Sequence, residues 1–334
     1  MKKQDNNFFK KTRLLLYLLV TSPYLPIFSQ TLMPTAESAF ENQLPFNSAY
    51  IKSQNIKSIT FDIIDKKDLQ IAEDKGLLTY YEFNNNGLLS RFYNTSIVKT
   101  IQKEYHSGPV YKHRKKISNG NTYTKNEYVY DTVSTTYFYT NNNLLKLKRY
   151  NDGPFYESYY YDYSSGGQLI QEKRYKETNV SENKSEFKLG GQFTISEESF
   201  EYINTGKNQF KKICKNDEGR VYKEIIYHTN EANQIININE QYTVTWLVQV
   251  SNFEYNTKGQ LIKASYKSNS NGDLELTRTY EYDTNDCLLT EKQYKNNVLL
   301  KEISYVTDAS KKLNSYIIRE PNSKTLRIVK LLYQ

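Results

Sequence analysis

One pattern recurs along this chain and constrains its fold more than any other feature. It consists of an aromatic, any residue, a second aromatic, a polar run with Gly, Asn or Asp four positions on, and Leu two positions after that. It reads Tyr81-Glu82-Phe83 … Gly87-Leu88-Leu89, then Tyr137-Phe138-Tyr139 … Asn143-Leu144-Leu145, then Tyr161-Asp162-Tyr163 … Gly167-Gln168-Leu169. It returns as Phe253-Glu254-Tyr255 … Gly259-Gln260-Leu261 and Tyr280-Glu281-Tyr282 … Asp286-Cys287-Leu288, with partial copies around Phe200-Glu201-Tyr202 and Asn216-Asp217-Glu218-Gly219.

This is the chemistry of a β-hairpin. Successive side chains of a strand point to opposite faces, so the two aromatics of each copy share one face. The tetrads Asn84-Asn85-Asn86-Gly87 and Asn256-Thr257-Lys258-Gly259 are rich in residues that tolerate positive φ, as a tight turn requires. The Leu pair opens the returning strand, which ends at an aromatic such as Tyr150, Tyr175, Tyr266 or Tyr294. Composition agrees. With 32 Tyr and 15 Phe the chain is too rich in aromatics for a disordered one, and its aromatics favour β structure.

The residue between the two aromatics is acidic in most copies: Glu82, Asp162, Glu201, Glu254 and Glu281. The returning strands carry Lys146, Lys148, Lys173, Arg174, Lys263 and Lys292, so the acids are expected to face bases across each hairpin. Such pairs stabilise a sheet by a few tenths to about 1 kcal/mol each and need no function. Glycosidase carboxylates, by contrast, come as one positioned pair.

The runs Tyr280-Glu281-Tyr282-Asp283-Thr284-Asn285-Asp286-Cys287-Leu288 and Phe253-Glu254-Tyr255-Asn256-Thr257-Lys258-Gly259-Gln260-Leu261 resemble the YD repeat of rearrangement-hotspot proteins, Tyr-x-Tyr-Asp-x-x-Gly-x-Leu. The resemblance implies long β-sheets that coil into shells around toxin cargo or form adhesive surface structures. It covers residues 78 to 305 with irregular stretches at 95–135 and 179–250. Asp stands at the fourth position only as Asp283, and Asn143 and Asp286 replace Gly. No self-cleavage region or toxin domain is recognisable.

Residues 1–29 read as a signal peptide: Lys2, Lys3, Lys10, Lys11 and Arg13, an apolar run Leu14–Val20, two prolines, and Ser29 before Gln30. The run is far shorter than the roughly 20 residues that span a bilayer. Removing these five bases and one acid takes the formal charge from +8 to +4, so no binding to nucleic acid is expected. Cys214 and Cys287 survive cleavage; an exported compartment permits a disulfide, and unused β-sheet thiols are the alternative.

Enzyme signatures are missing: there is no Gly-x-Ser-x-Gly elbow, phosphate loop, dinucleotide fingerprint or His-Glu-x-x-His. His106, His113 and His228 read as surface or turn residues, Lys112–Lys116 as a solvated basic loop, and Asn216–Gly219 as a turn rather than a calcium site.

The expectation is therefore a signal peptide (1–29), a polar lead-in (30–50) and a β-hairpin repeat domain (51–334). The domain is all-β, an antiparallel YD-repeat-like meander curled or folded on itself. Its structural positions are Tyr81, Phe83, Gly87, Tyr137, Tyr139, Tyr161, Tyr163, Gly167, Phe253, Tyr255, Gly259, Tyr280 and Tyr282. The expected role is an exported, non-enzymatic scaffold, periplasmic, outer-membrane-associated or extracellular, with no cofactor or metal. Its partner would be a protein or polysaccharide of the cell envelope, and the mature chain would have no transmembrane span. The alternative is a toxin-associated component or an enzyme with its site in 95–135.

Overall fold

The computed structural model describes residues 30–334 except 107, 109, 113–114, 119–121, 153–154, 184–185 and 271–273. The expected signal peptide with its Ser29–Gln30 junction, His113 and part of the Lys112–Lys116 run lie outside the described residues. One short helix, α1 (Ser48–Ser53), precedes the strands β1 (Ser58–Lys67), β2 (Glu73–Phe83), β3 (Leu89–His106), β4 (Val110–Lys112) and β5 (Lys115–Ser118). Then come β6 (Thr122–Tyr139), β7 (Leu145–Asp152), β8 (Phe155–Tyr163), β9 (Leu169–Asn179), β10 (Leu189–Gly206), β11 (Gln209–Lys215), β12 (Val221–Thr229) and β13 (Ile235–Tyr242). The chain ends with β14 (Val248–Tyr255), β15 (Leu261–Ser268), β16 (Leu274–Tyr282), β17 (Leu288–Lys295), β18 (Val298–Thr307), β19 (Leu313–Arg319) and β20 (Thr325–Tyr333).

Consecutive strands pair antiparallel, with β3 passing to β6 around the small β4–β5 excursion, in one 18-stranded sheet. The last strand returns to the first: β20 pairs with β1 from Ile59↔Tyr333 to Lys67↔Thr325. The sheet is thus a closed barrel, where a meander curled or folded on itself was expected. Closure pairs the N–H and C=O groups of β1 and β20 that an open meander would leave exposed at its two ends. The 18-residue strands β3 and β6 outlast their neighbours: their mutual register runs on to His106↔Thr122, while β2 leaves β3 at Thr79↔Asn94. They therefore leave the barrel wall as a two-stranded arm.

The repeat makes the turns of one rim. In each, the residue after the second motif position closes a five-residue loop and its side-chain oxygen takes backbone N–H groups. Asn256 accepts from Lys258 N (3.0 Å) and Gln260 N (3.0 Å), and Asp283 from Asn285 N (2.8 Å) and Cys287 N (2.8 Å). Thr140 and Ser164 do the same with hydroxyls. The fourth position therefore needs an acceptor oxygen, not an aspartate. The left-handed residue is Gly87, Gly167 or Gly259, and equally Asn143 (φ 63°) or Asp286 (φ 68°).

A bulge follows each turn, as between Glu281 and Tyr282 on the β16–β17 ladder. The β15–β16 ladder stops at Lys263↔Thr279, so the Leu261 carbonyl has no strand partner on that side. The Tyr282 hydroxyl donates to it instead (2.8 Å). Tyr139 to Leu89, Tyr163 to Leu145 and Tyr255 to Ile235 repeat this bond at 2.8 Å, and Tyr333 donates to Leu313. The second aromatic of the repeat is thus a latch between adjacent hairpins.

Residues 30–56, expected in part as a polar lead-in, lie inside the ring. Leu32, Ala36, Ala39, Tyr50, Ile51 and Ile56 join one core with Tyr81, Phe83, Phe253, Tyr280, Tyr305 and Val329. Asn47 caps α1 by accepting from Ala49 N (3.2 Å) and Tyr50 N (3.4 Å). Gln30 and Thr31 take the N–H groups of Leu288 (2.9 Å) and Leu313 (3.0 Å). These contacts, with Lys52 on Asn86 and Tyr50 on Ser310, place the segment in the end of the lumen beneath the motif turns.

Candidate functional site

Residues paired across a ladder share a face, so the register sorts the wall into two surfaces. Facing inward are Ile59, Phe61, Tyr81, Phe92, Thr135, Tyr150 and their successive partners around the ring. Facing outward are Asp62, Glu82, Arg91, Glu201, Lys211, Glu224 and most of the charged side chains between. Two of the expected cross-hairpin pairs form there, Lys263–Glu254 at 2.9 Å and Lys292–Glu281 at 3.4 Å, and Glu201 pairs with Lys215, a base outside the expected set. Lys148 and Arg174 differ from that expectation. They stand opposite Tyr137 and Tyr159, both inward, because the bulge after each turn shifts the alternation by one residue.

The motif positions all serve the wall, but they divide by arc. Tyr81, Phe83, Phe253 and Tyr280 are buried against the inner segment, with Tyr255 and Tyr282 packed at its margin. Tyr137, Tyr139, Tyr161 and Tyr163, on the arc from β6 to β8, are only half-buried. Burial raises the phenol pKa of Tyr280, Tyr282 and Tyr161, so all three are neutral at any physiological pH. Gly87, Gly167 and Gly259 occupy turns at φ 75°, 79° and 79°.

Two luminal cavities lie beside the inner segment where its chain passes Asn42 and Gln43. The smaller, about 240 Å³, is bounded by Arg278, Glu291, Tyr305 and Lys301 among others. Here Glu291 accepts from Tyr305 Oη (2.9 Å) and Gln293 Nε2 (2.7 Å), with the Arg278 guanidinium at 3.4 Å. Arg278 also donates to the Glu41 carbonyl (3.0 Å), and Tyr280 Oη to that of Ala39 (3.3 Å). This network fastens the inner segment to the wall. The Glu291 carboxylate is thus engaged by three side chains.

The larger cavity, about 500 Å³, is lined by Asn42, Gln43, Phe92, Asn94, Val133, Thr135, Lys148, Tyr150 and Tyr159. The Lys148 ammonium stands 5.7 Å from the centroid of the Tyr159 ring. Among the described residues, nothing forms an ion pair or hydrogen bond with Lys148 or with Lys301 across the shared wall. The Tyr159 phenol is pushed up to about 12, first by burial and then by its hydrogen bond to Glu157.

No family model matches the chain, and no curated protein does. Among solved structures it is similar to a porin-like protein from Bacteroides uniformis, at 9% identity and TM-score 0.35, over 84% of this chain and 98% of that one. A porin-like protein from Bacteroides vulgatus is similar at 8% identity and TM-score 0.31, again over 84% and 98%. The Tc holotoxin pore of Photorhabdus luminescens gives 11% identity and TM-score 0.26 over 77% of this chain and 15% of that much longer one.

The other sequence candidates are placed plainly. His228 lies on the outer wall between Gln209 (3.1 Å) and Asn237 (3.1 Å), and His106 on the arm beside Thr122 (2.8 Å). The Asn216 side chain is taken by Arg220 N (2.9 Å). Cys214 and Cys287 are buried and unpaired. Among the described residues no group of His, Cys, Asp or Glu is arranged to hold a metal. Sequence reading missed Arg278 and Glu291, and it placed Lys148 against an acid where the structure turns it inward. Arg278 had a signal, a charge at the inward position two before Tyr280; Glu291 had none, because the bulge at Leu289 reverses its parity.

Proposed function

We propose that this chain is an exported, non-enzymatic β-barrel scaffold that binds protein or glycan at the cell envelope, with water on both sides of its wall. The observation that carries the reading is the chemistry of the outer face. Transmembrane barrels present an apolar band to lipid, and a Lys or Arg at mid-depth there costs about 2–4 kcal/mol. This wall instead shows Lys330, Asp62, Glu82, Arg91, Lys211, Glu224, Lys263 and Lys292 outward along its height. The inner segment also fills one end of the lumen, which speaks against an open channel. Rigid walls with half-exposed tyrosines suit binding, since a phenol ring gives contact area at low entropic cost.

The test is partition and capture. The mature protein should remain soluble without detergent, leave a membrane fraction on alkaline washing, and retain an envelope protein or polysaccharide in a pull-down. Release only by detergent would overturn the reading.

A further inference from the structure

We propose that the larger luminal cavity binds an acidic saccharide, with Lys148 as its counter-charge and Tyr150 and Tyr159 as stacking walls. The inference rests on the scaffold reading above and names the ligand of its lumen. The volume of about 500 Å³ lies within the range of small-ligand sites, roughly 300–1,000 Å³. Phe92, Tyr150 and Tyr159 supply flat faces, and Asn42, Asn94 and Thr135 supply mixed donors and acceptors, which match the hydroxyl pairs of a sugar ring.

The charge decides between a neutral and an acidic sugar. A half-buried ammonium normally has an acid partner, because withdrawing it from water is costly. Arg278 has Glu291, and Lys223 has Glu240 at 3.4 Å. Among the described residues Lys148 has no ion pair and only the Tyr159 ring beside it; the nearest inward acid, Glu157, is already paired with Arg174, and Lys301 lies on the neighbouring cavity with Glu41 and Glu291. The Tyr159 phenol, pushed up to about 12, contributes no negative charge of its own. A carboxylate entering the cavity would complete the local charge balance. An extended peptide fits less well: it would need free backbone edges or apolar side-chain pockets, and here the wall backbone is committed to its ladders.

The experiment is calorimetric titration of the full mature chain with trigalacturonic acid, with galactotriose as a neutral control of equal length and tetraglutamate as an acidic peptide. Trigalacturonate should bind at least about tenfold more tightly than galactotriose, the worth of one charge-assisted contact. Lys148→Gln should abolish that difference without changing the thermal midpoint, while Lys263→Gln on the outer wall should leave it intact. Equal affinity for both trisaccharides, or an advantage that survives in Lys148→Gln, would overturn the inference and leave the broader scaffold reading standing. Tighter binding of tetraglutamate, or no saturable binding of any probe, would also overturn it. Detergent-free solubility, measured separately, bears on the scaffold reading alone.

Discussion

The same repeat builds two arcs of one ring, and they differ in what lies against them. From β14 through β20 to β2, the inward aromatics meet the inner segment: Tyr280, Tyr305 and Phe253 are 4%, 3% and 4% exposed. From β6 to β12 the inner segment touches the wall more sparsely, as where Gln43 donates to Tyr137 Oη (3.2 Å), and the buried apolar core shrinks to Phe200, Cys214 and Ile225. Turn chemistry, bulge and tyrosine latch are alike in both arcs, as Tyr163 on Leu145 and Tyr282 on Leu261 show. The repeat therefore sets register, and the inner segment sets burial. One arc is consequently a structural core and the other a wall with polar groups to spare.

The largest expected effect separates the arcs directly. Tyr280→Ala should cost about 3–5 kcal/mol in denaturant unfolding, as for a fully buried aromatic. Tyr161→Ala, at the equivalent position of the open arc, should cost less than half as much. Glu281→Ala, pointing outward to Lys292, should cost under about 1 kcal/mol. Equal losses for the two tyrosines would mean that the inner segment does not pack where it is placed.

A pair of glycines sharpens the same contrast at nearly identical backbone. A Cβ on Gly87 (φ 75°) would come 2.1 Å from the Ser48 carbonyl oxygen of α1 and 2.8 Å from Lys52 N. One on Gly219 (φ 76°) would meet nothing within 4 Å. Gly219→Ala should therefore cost only the left-handed strain, about 1–2 kcal/mol. Gly87→Ala should cost at least about 3 kcal/mol, because helix and turn are both backbone and must separate. Matched thermal unfolding of the two variants checks this.

Much of the architecture was legible. The alternation Tyr280-Glu281-Tyr282 placed rings inward and the acid outward, and Glu254 and Glu281 meet the lysines expected of them. Two further turns, at Asn230 and Asp308, escaped because Thr229 and Thr307 stand where the second aromatic would be; the side-chain acceptors still hold Gln234 N and Lys312 N. The bulges hid the inward charges, since each reverses the parity on which strand reading depends. Closure left no local trace: Ile59 and Tyr333 lie on the first and last strands, 274 positions apart in the sequence. The inner segment was also opaque, because Pro34 and Pro45 and its many polar residues made 30–50 read as a polar lead-in although Leu32, Ala36 and Ala39 are buried.

The closing seam carries a smaller, pH-dependent effect. Asp65 on β1 accepts from Arg327 on β20 (2.9 and 3.2 Å) and from Lys75 (3.1 Å). The hydrogen bond from Arg327 is the main cause holding its carboxyl below the ordinary carboxylate value. A depressed folded-state pKa gives stability that is fully present above the ordinary value near 4 and is lost as pH falls through the lowered one. Unfolding midpoints should therefore fall on acidification below about pH 4, and Asp65→Asn should flatten that limb while lowering stability at neutral pH.

Ring closure, on which the separation of an outer face from a lumen depends, can be tested most directly at the same seam. Thr60 and Leu332 are paired across β1 and β20 and both point outward. The double variant Thr60→Cys, Leu332→Cys should form an intramolecular disulfide on mild oxidation. Non-reducing electrophoresis and peptide mapping would show the bond within one chain, and unfolding would require more denaturant than in the reduced form. Two thiols that stay free in the folded protein, or that join only between molecules, would contradict a closed barrel.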